Sequence, residues 1–315
     1  MSAFIEQFLQ ALAAGLLVGC VYGLMCVGLA FIFGIMRVIN FAQGDFMMVG
    51  MYLAIFIVTN LLTTAFLGQA APFIAALATA PVMFAGGYAL HRCLIARTTG
   101  TRATSELEAH QAQLVLTLGI ALILQNGALI LLGSAPVSMI TPLSSAAWQV
   151  PLLYDEFAAV FFNKARTIDA GIAVVIALVF FWVMGHTQMG KSLRAAADNP
   201  EAALYNGIDV DRAHRIAFGL GTAIAGVAGG LIILYYPVQP FVGIDFIIIM
   251  YAGVVLGGMG SIKGAFWGGV TIGLVQQLAT LVLPLQLQNA AIFVIFLLLL
   301  LLRPQGLFGR VTERA

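Results

Sequence analysis

Apolar residues run through this chain in blocks that are long enough to cross a lipid bilayer. A helix of about 20 apolar residues covers the hydrocarbon core of a membrane. Nine blocks approach this length, near residues 8–33, 46–66, 72–95, 111–133, 169–186, 215–235, 245–258, 264–283 and 285–302. The pattern predicts an all-α polytopic membrane protein that forms one transmembrane domain over residues 1–315.

Two of the nine blocks are interrupted. The second follows the stretch MRVINFAQGDF, and the seventh runs into the glycine-rich stretch GGMGSIKGAFWGG. Backbone that leaves helical geometry at membrane depth must be buried in protein or line a water-filled cavity. We therefore predict a bundle of about eight or nine transmembrane helices with two broken helices, and both crossing numbers fit the pattern.

The interruptions are the candidate lining of a solute path, because transporters often place broken helices in corresponding positions of two related halves. The candidate residues are Asn40, Gln43, Asp45, Gly257, Gly258 and Gly260. For Asp45 a second interpretation is the N-cap of a helix that begins at Phe46, and one carboxylate can serve both roles.

Other features of the blocks indicate how the helices pack. Gln125 and Asn126 in the fourth block are expected to be buried and to hydrogen-bond between helices. Small residues recur every four positions in three places, which predicts close helix–helix contact. These series are Gly15, Gly19 and Gly23; Gly221, Ala225 and Gly229; and Gly260, Gly264 and Gly268.

The longest polar stretch runs from residue 185 to residue 215. It predicts one short helix over Ser192–Asp198 and a second that begins at Pro200 after the N-cap Asn199. Gly207 is expected to end the second helix. Two interpretations fit this stretch: a docking surface for a partner, and a solvated connection between two spans.

The same stretch matches the phosphate-loop pattern G-x-x-x-x-G-K-[ST] at Gly185, Gly190, Lys191 and Ser192. That pattern binds nucleotide only when a buried strand precedes it and a packed helix follows. Here an apolar block precedes it, so we do not expect a nucleotide site.

Composition agrees with a membrane protein, since 62% of the residues are hydrophobic and 9% are charged. The first ten residues lack the basic segment and cleavage site of a signal peptide, so the first block is expected to be a retained span. Cys20, Cys26 and Cys93 lie in apolar runs and are expected to be core residues rather than disulfides or metal ligands.

The basic residues predict an orientation, because they concentrate on the cytoplasmic side of membrane proteins. A cytoplasmic 186–214 loop leaves only Lys164 and Arg166 outside. The twelve residues then inside are Arg37, Arg92, Arg97, Arg102, Lys191, Arg194, Arg212, Arg215, Lys263, Arg303, Arg310 and Arg314. The C-terminus would be cytoplasmic and the 134–168 loop external, where an interface with a partner and a solvated lid both fit. The N-terminus would be external if the crossing number is odd.

The histidines lie at block ends on the basic side and are expected to be solvated interface residues. They are His91, His110, His186 and His214.

Four segments form a recognisable series: INFAQGDFMMVGMYLA from Ile39, MGKSLRAAADNPEAALYNGI from Met189, VVLGGMGSIKGAFWGG from Val254 and RPQGLFG from Arg303. Together they resemble the permease family of branched-chain amino-acid ABC importers. The resemblance implies a bacterial inner-membrane protein that is not an enzyme. It also implies four kinds of partner: a second related permease subunit, two cytoplasmic ATPase subunits, an external solute-binding protein and the lipid bilayer.

The resemblance implies no nucleic-acid partner, and no catalytic residues, cofactor or metal in this chain, since the partner ATPases bind the ATP. It further implies that residues 189–208 form the loop on which an ATPase rides. The matching residues are Gly190, Arg194, Ala196, Asp198, Glu201 and Gly207.

Gln43 stands where the family usually has histidine, which leaves the solute open among branched-chain amino acids, amides, urea and aromatic acids. An ion-coupled secondary transporter is the alternative, with Asp45 and Asp245 as its candidate ion ligands. An integral membrane enzyme would need a nucleophile, metal cluster or paired acids, and we find no such constellation in the sequence.

Overall fold

The computed structural model of the protein describes residues 2–60, 68–97, 106–151, 159–284, 287–303 and 306–308. The helices are α1 (Ser2–Met36), α2 (Gln43–Asn60), α3 (Ala71–Cys93), α4 (Glu106–Leu132), α5 (Pro142–Ser145), α6 (Lys164–His186), α7 (Gln188–Asp198), α8 (Pro200–Tyr205), α9 (Val210–Ile232), α10 (Val242–Gly257), α11 (Ile262–Ala279) and α12 (Gln288–Leu302), and the strands are β1 (Ala147–Pro151) and β2 (Ala159–Asn163). Short 3₁₀ turns cover Gly68–Ala70 and Ile95–Arg97.

Helices long and apolar enough to cross a membrane dominate the described chain. Five meet this condition by length and composition, namely α1, α3, α4, α6 and α9. Shorter apolar helices form α10 and α12. The predicted fold class, a helical polytopic membrane protein, is confirmed.

The two ends of the bundle are distinguished by what lies on them. On one, Gln10 near the start of α1 exchanges two hydrogen bonds of 2.8 Å with the backbone of Phe161 in β2. On the other, Phe33 and Arg37 at the end of α1 share a cavity with Asp198 at the end of α7. We call these ends the hairpin side and the helical-loop side.

Helices α1–α4 and α9–α12 form two halves that run in opposite directions. In the first half α1 leaves the hairpin side, and in the second α9 leaves the helical-loop side. Helix α1 packs on α11, and α9 packs correspondingly on α3, while α1 and α9 contact each other at the centre. If α2 and α10 are each counted together with the non-helical segment that precedes them, the described helices cross the bundle nine times.

Close helix contact depends on the small residues that recur at intervals of four. A methyl group on Gly15, Gly19 or Gly23 would lie 2.9, 2.7 or 2.8 Å from atoms of α11. Such distances are shorter than the carbon contacts of a packed core. The small-residue series in α1 therefore forms the contact between α1 and α11.

The first break follows α1. Arg37 adopts a left-handed backbone, with φ of 57°, and the next five residues return into the bundle without helical structure. Helix α2 then begins at Gln43, whose Nε2 would lie 3.3 Å from a methyl group on Gly28. Since Gly28 lies well inside α1, α2 begins inside the bundle rather than at its surface.

The second break precedes α10. The chain from 233 to 241 turns back from the hairpin side, where the backbone of Val238 pairs with that of Val137. Helix α10 then runs alongside α1: the ring of Phe246 lies 6.1 Å from that of Tyr22, and the Cys26 thiol donates to the Met250 carbonyl at 3.6 Å. Helix α10 thus begins inside the bundle, as α2 does. We call α2 and α10 the half-helices, because each is preceded by a non-helical segment within the bundle.

The glycine-rich stretch GGMGSIKGAFWGG, predicted to form the second broken helix, is not the break inside the bundle. Residues 258–261 form a turn between α10 and α11 at the helical-loop side, with φ of 101° at Gly258 and 98° at Gly260. The break of the second half is instead the proline-containing stretch 233–241, which falls largely between the sixth and seventh apolar blocks.

The loop between α4 and α6 contains structure that the sequence analysis did not predict. Strands β1 and β2 form an antiparallel hairpin with Ala147 opposite Asn163 and Pro151 opposite Ala159. Tyr154, Asp155 and Glu156 lie outside the described residues. The hydropathy pattern does not reveal the hairpin, because each of its strands is only five residues long.

Candidate functional site

The first turns of the two half-helices cross each other at a pair of glycines. A methyl group on Gly44 would collide with the carbonyl oxygen of Gly243 and lie 2.9 Å from its carbonyl carbon. A methyl group on Gly243 would lie 2.8 Å from the carbonyl carbon of Gly44. Glycine at both positions is therefore what lets the broken segments meet in the interior.

The polar residues of the first break hold its backbone in place. The amide of Asn40 donates to Oε1 of Gln43 at 3.0 Å, and its own oxygen accepts from the backbone of Ala42 at 3.1 Å. Gln43 donates through Nε2 to the carbonyl of Gly221 in α9 at 3.0 Å. Both side chains are buried. Gln43 thus ties α2 to the central helix of the opposite half.

Asp45 is 2% exposed and accepts a hydrogen bond of 3.0 Å from Nε2 of Gln125 in α4. It is the third residue of α2, which begins at Gln43. The interpretation of Asp45 as the N-cap of a helix starting at Phe46 is therefore wrong. Its carboxylate instead fastens α2 to α4.

The two amides of the fourth block differ in environment. Gln125 is buried and bonds between helices, as expected. Asn126 is exposed and donates to the carbonyl of Leu122 in its own helix at 2.8 Å. The expectation that Asn126 is buried between helices is wrong, because adjacent helical residues point in different directions.

The glycines of the third motif pack against the C-terminal motif. Gly257 packs against Gly264, and its carbonyl accepts from the backbone of Phe308 at 3.2 Å. A methyl group on Gly306 would lie 2.6 Å from the Cα of Gly258. Gly260 is exposed. Lining of the solute path by Gly257, Gly258 and Gly260 stays a prediction.

A cavity of about 820 Å³ opens on the helical-loop side and joins residues from distant motifs. Asp198 lies at its edge with Lys263, and Phe308 contributes from the C-terminal motif. Arg37, two residues before the first motif, also lines it. Residues of the second, third and fourth motifs therefore converge on one surface beside the end of α1, although they are far apart in the sequence.

The helical loop, residues 187–207, is built from two capped helices. The Thr187 hydroxyl caps α7 by accepting from the backbone of Gly190 at 3.1 Å, and Asn199 caps α8 by accepting from Ala202 at 3.0 Å. Helix α7 begins at Gln188, four residues earlier than predicted. The expected cap at Asn199 is confirmed.

Gly207 ends α8 in a left-handed conformation, with φ of 77°, as predicted. The backbone of Ile208 then donates to the carbonyl of Ala203 at 2.9 Å. This pair of features is the usual glycine stop of a helix. The caps therefore define where α7 and α8 begin, and the glycine stop defines where α8 ends.

The helical loop has a buried face and an exposed face. Gly190 and Ala196 are buried, and a methyl group on Gly190 would lie 2.7 Å from the carbonyl carbon of Met184. The exposed face carries Arg194, Asp198 and Glu201. The matching motif residues therefore divide into an anchoring set and a solvent-facing set.

The exposed face of the helical loop also has an apolar part, which was not predicted from the sequence. Leu204 is 59% exposed and Tyr205 is 92% exposed, although both are large and apolar in body. The two bulky side chains are visible in the sequence as apolar residues within a polar loop, a pattern typical of a surface that a partner covers. The choice between a docking surface and a solvated connection stays a prediction.

The phosphate-loop match has no phosphate-loop geometry. Helix α6, not a strand, precedes Gly190, and Lys191 and Ser192 lie within α7. The Ser192 hydroxyl donates to the carbonyl of Gln188 at 3.0 Å.

A family model described as the permease component of branched-chain amino-acid transport systems matches residues 11–302. The chain belongs to this family. It is 30% identical to the high-affinity branched-chain amino-acid permease LivH of Escherichia coli K12 over 98% of each chain. It is 28% identical to BraD of Pseudomonas aeruginosa over 97% of each, and 28% identical to a probable LivH of Methanocaldococcus jannaschii over 91% of this chain and 88% of that one. No solved structure gives a significant match.

Two groups of titratable or reactive residues in this permease depart from expectation. His91 is buried, 6.4 Å from the ring of His214 and 5.8 Å from that of Phe218, so it is not a solvated interface residue. His186 is exposed, and the side chain of His110 lies outside the described part. Cys20 and Cys26 are buried and unpaired, as expected, whereas Cys93 is exposed.

Asp169 is a buried carboxylate that the sequence analysis did not single out. Neither of its oxygens has a hydrogen-bond partner among the described residues. It lies one helical turn from Arg166, whose guanidinium stacks 5.1 Å from the ring of Tyr235. In the sequence Asp169 stands at the very start of the apolar block 169–186, a position typical of a solvated span end.

Proposed function

We propose that this permease is one of two related membrane subunits of a binding-protein-dependent ABC importer in the inner membrane. Its solute would be a branched-chain or related amino acid. The family and the near full-length relatives named for branched-chain amino-acid transport support this. Two ATPase subunits would bind the ATP, and an external binding protein would deliver the solute. The described residues hold no group of three or more metal-ligating side chains.

The observation that carries the proposal is the exposed face of the helical loop. Leu204 and Tyr205 offer apolar surface, and Arg194, Asp198 and Glu201 surround it with charges. Aromatic residues surrounded by polar groups are typical of protein–protein interfaces. A cytoplasmic ATPase is the partner that this surface fits.

The helical loop is also placed to transmit force. Its buried residues Leu193 and Ala196 anchor it to the bundle. Asp198 shares the cavity with the turn that joins α10 to α11. A displacement of α7 by a bound ATPase would therefore act on α1, α6 and α9, which α7 contacts, at the mouth of the cavity.

The orientation follows from the basic residues. Arg92 and Arg215 lie at ends of α3 and α9 on the helical-loop side, whereas Lys164 and Arg166 lie at the start of α6 on the hairpin side. The positive-inside tendency supports a cytoplasmic position for the helical-loop side. The binding protein would then dock on the hairpin side.

The test compares two variants of the helical loop in the reconstituted complex. Glu201→Lys reverses a charge on the exposed face, and a wrongly charged docked interface costs roughly 2–5 kcal/mol. We expect this variant to lose ATPase association. Pro200→Gly keeps every charge but loosens the start of α8, so it should bind the ATPases and transport less solute per ATP hydrolysed.

Complex recovery, ATP turnover and solute uptake are measured together. Normal values of all three in both variants would show that the helical loop is only a connection. Thermal unfolding of the isolated permease is the control, since both positions are exposed and neither change should unfold the bundle.

A further inference from the structure

The two half-helices carry an aspartate in equivalent places, but the two carboxylates have different surroundings. Each is followed by phenylalanine in the first turn or so of its helix: Asp45 and Phe46 in α2, and Asp245 and Phe246 in α10. Asp45 is buried and held by Gln125. Asp245 is exposed and makes no hydrogen bond or ion pair with any residue in the described part of the chain.

The depth of Asp245 follows from its neighbours. Phe246, the next residue, packs on Tyr22 at 6.1 Å. Gly243, two residues before, contacts Gly44 at the crossing of the half-helices. Tyr22 is near the centre of α1, which extends from the hairpin side to the helical-loop side. The Asp245 carboxylate therefore lies at the level of Tyr22, between the two ends of the bundle.

A carboxylate at this depth does not face lipid without a large cost, and charged residues within spans generally face a partner or a water-filled cavity. Most of the exposed surface beside Asp245 is apolar, because Phe241 and Ile244 are 44% and 46% exposed, and the Tyr236 hydroxyl is the polar group that interacts with its carboxylate in the described part of the chain. An anionic group set in an apolar surface is complementary to a solute that has an ammonium group and a hydrocarbon side chain.

We propose that Asp245 lines the solute path of the assembled transporter and pairs with the ammonium group of an amino-acid solute. This inference rests on the proposed function and adds to it a recognition residue. Asp45 has a different role: its bond to Gln125 makes it a fastener between helices. The asymmetry between the two equivalent positions assigns contact with the solute to the second half.

The test uses the full transporter, with both permeases, the ATPases and the binding protein, in proteoliposomes with radiolabelled L-leucine as the probe. Asp245→Asn should lower leucine uptake about tenfold or more, because removing one partner of a desolvated charge pair is costly. Asp245→Glu should restore most of the uptake. Asp211→Asn, the same change at an exposed position in the first turn of α9, should leave uptake unchanged.

A second measurement separates path lining from a structural role. The variant Asp245→Cys is made in a Cys93→Ser background, because Cys93 is an exposed cysteine. Its new thiol should react with a water-soluble thiol reagent, and leucine delivered by the binding protein should slow the reaction. Reaction only with a lipid-soluble reagent would overturn the proposal.

Three outcomes are distinct. Wild-type uptake by Asp245→Asn in a complex that still hydrolyses ATP overturns the role of Asp245 and leaves the importer intact. A wild-type complex that hydrolyses ATP in response to its binding protein but takes up no leucine overturns the amino-acid class of solute. Failure of the wild-type permease to recruit ATPases overturns the proposed function itself.

Discussion

The crossing of the half-helices gives the sharpest stability prediction. In Gly44→Ala the new methyl group would lie 2.9 Å from the carbonyl carbon of Gly243 and 3.1 Å from Cβ of Ile247, besides meeting the carbonyl oxygen of Gly243. Carbon atoms in a packed core prefer separations of about 3.5–4.0 Å. Helices α2 and α10 would have to move apart by several tenths of an ångström at a point where both are buried.

Forcing one extra carbon into such a core costs about 1–3 kcal/mol. The gain in helix propensity from glycine to alanine is at most about 1 kcal/mol and offsets only part of that. We therefore expect Gly44→Ala to lower the thermal unfolding temperature of the purified permease in detergent, and to lower transport further because the crossing carries the half-helices.

Gly86→Ala in α3 is the matched control. A methyl group there meets nothing within 4 Å, so the same change should leave stability equal or slightly higher. Equal unfolding temperatures for Gly44→Ala and the wild type, with Gly86→Ala also unchanged, would refute the close crossing of α2 and α10.

Two further predictions concern orientation and the buried carboxylate. The variant Ser192→Cys should be labelled by an impermeant thiol reagent in inverted vesicles and not in sealed cells, since the helical loop is assigned to the cytoplasm. Labelling of sealed cells from outside would show the opposite orientation. Gln125→Leu should destabilise the permease by about 1–3 kcal/mol, because it leaves the buried carboxylate of Asp45 without its partner, and the loss should shrink in a double variant with Asp45→Asn. An unfolding curve identical to the wild type would show that this hydrogen bond contributes nothing.

Hydropathy by itself determined the architecture of this protein. A chain that must satisfy its backbone within hydrocarbon forms helices, so the apolar blocks of the sequence correspond to helices in the described structure. Local chemistry likewise predicted the cap at Asn199 and the stop at Gly207, because both depend on the residues next to them. The small-residue series in α1 was legible for the same reason, since its spacing follows the helical repeat.

Tertiary structure decided which polar residues meet. Asp45 looked like a helix cap in the sequence, and only the packing of α4 against α2 brought Gln125 to its carboxylate. The second break lies mostly between two apolar blocks, where the sequence alone reads as an ordinary connection, whereas the glycine-rich stretch forms a turn at the helical-loop side. Asp45 and Asp245 differ in burial because α4 packs over Asp45, whereas no described helix buries Asp245. Burial of this kind depends on contacts between residues that are far apart in the chain. The local sequence pattern around each aspartate does not encode those contacts.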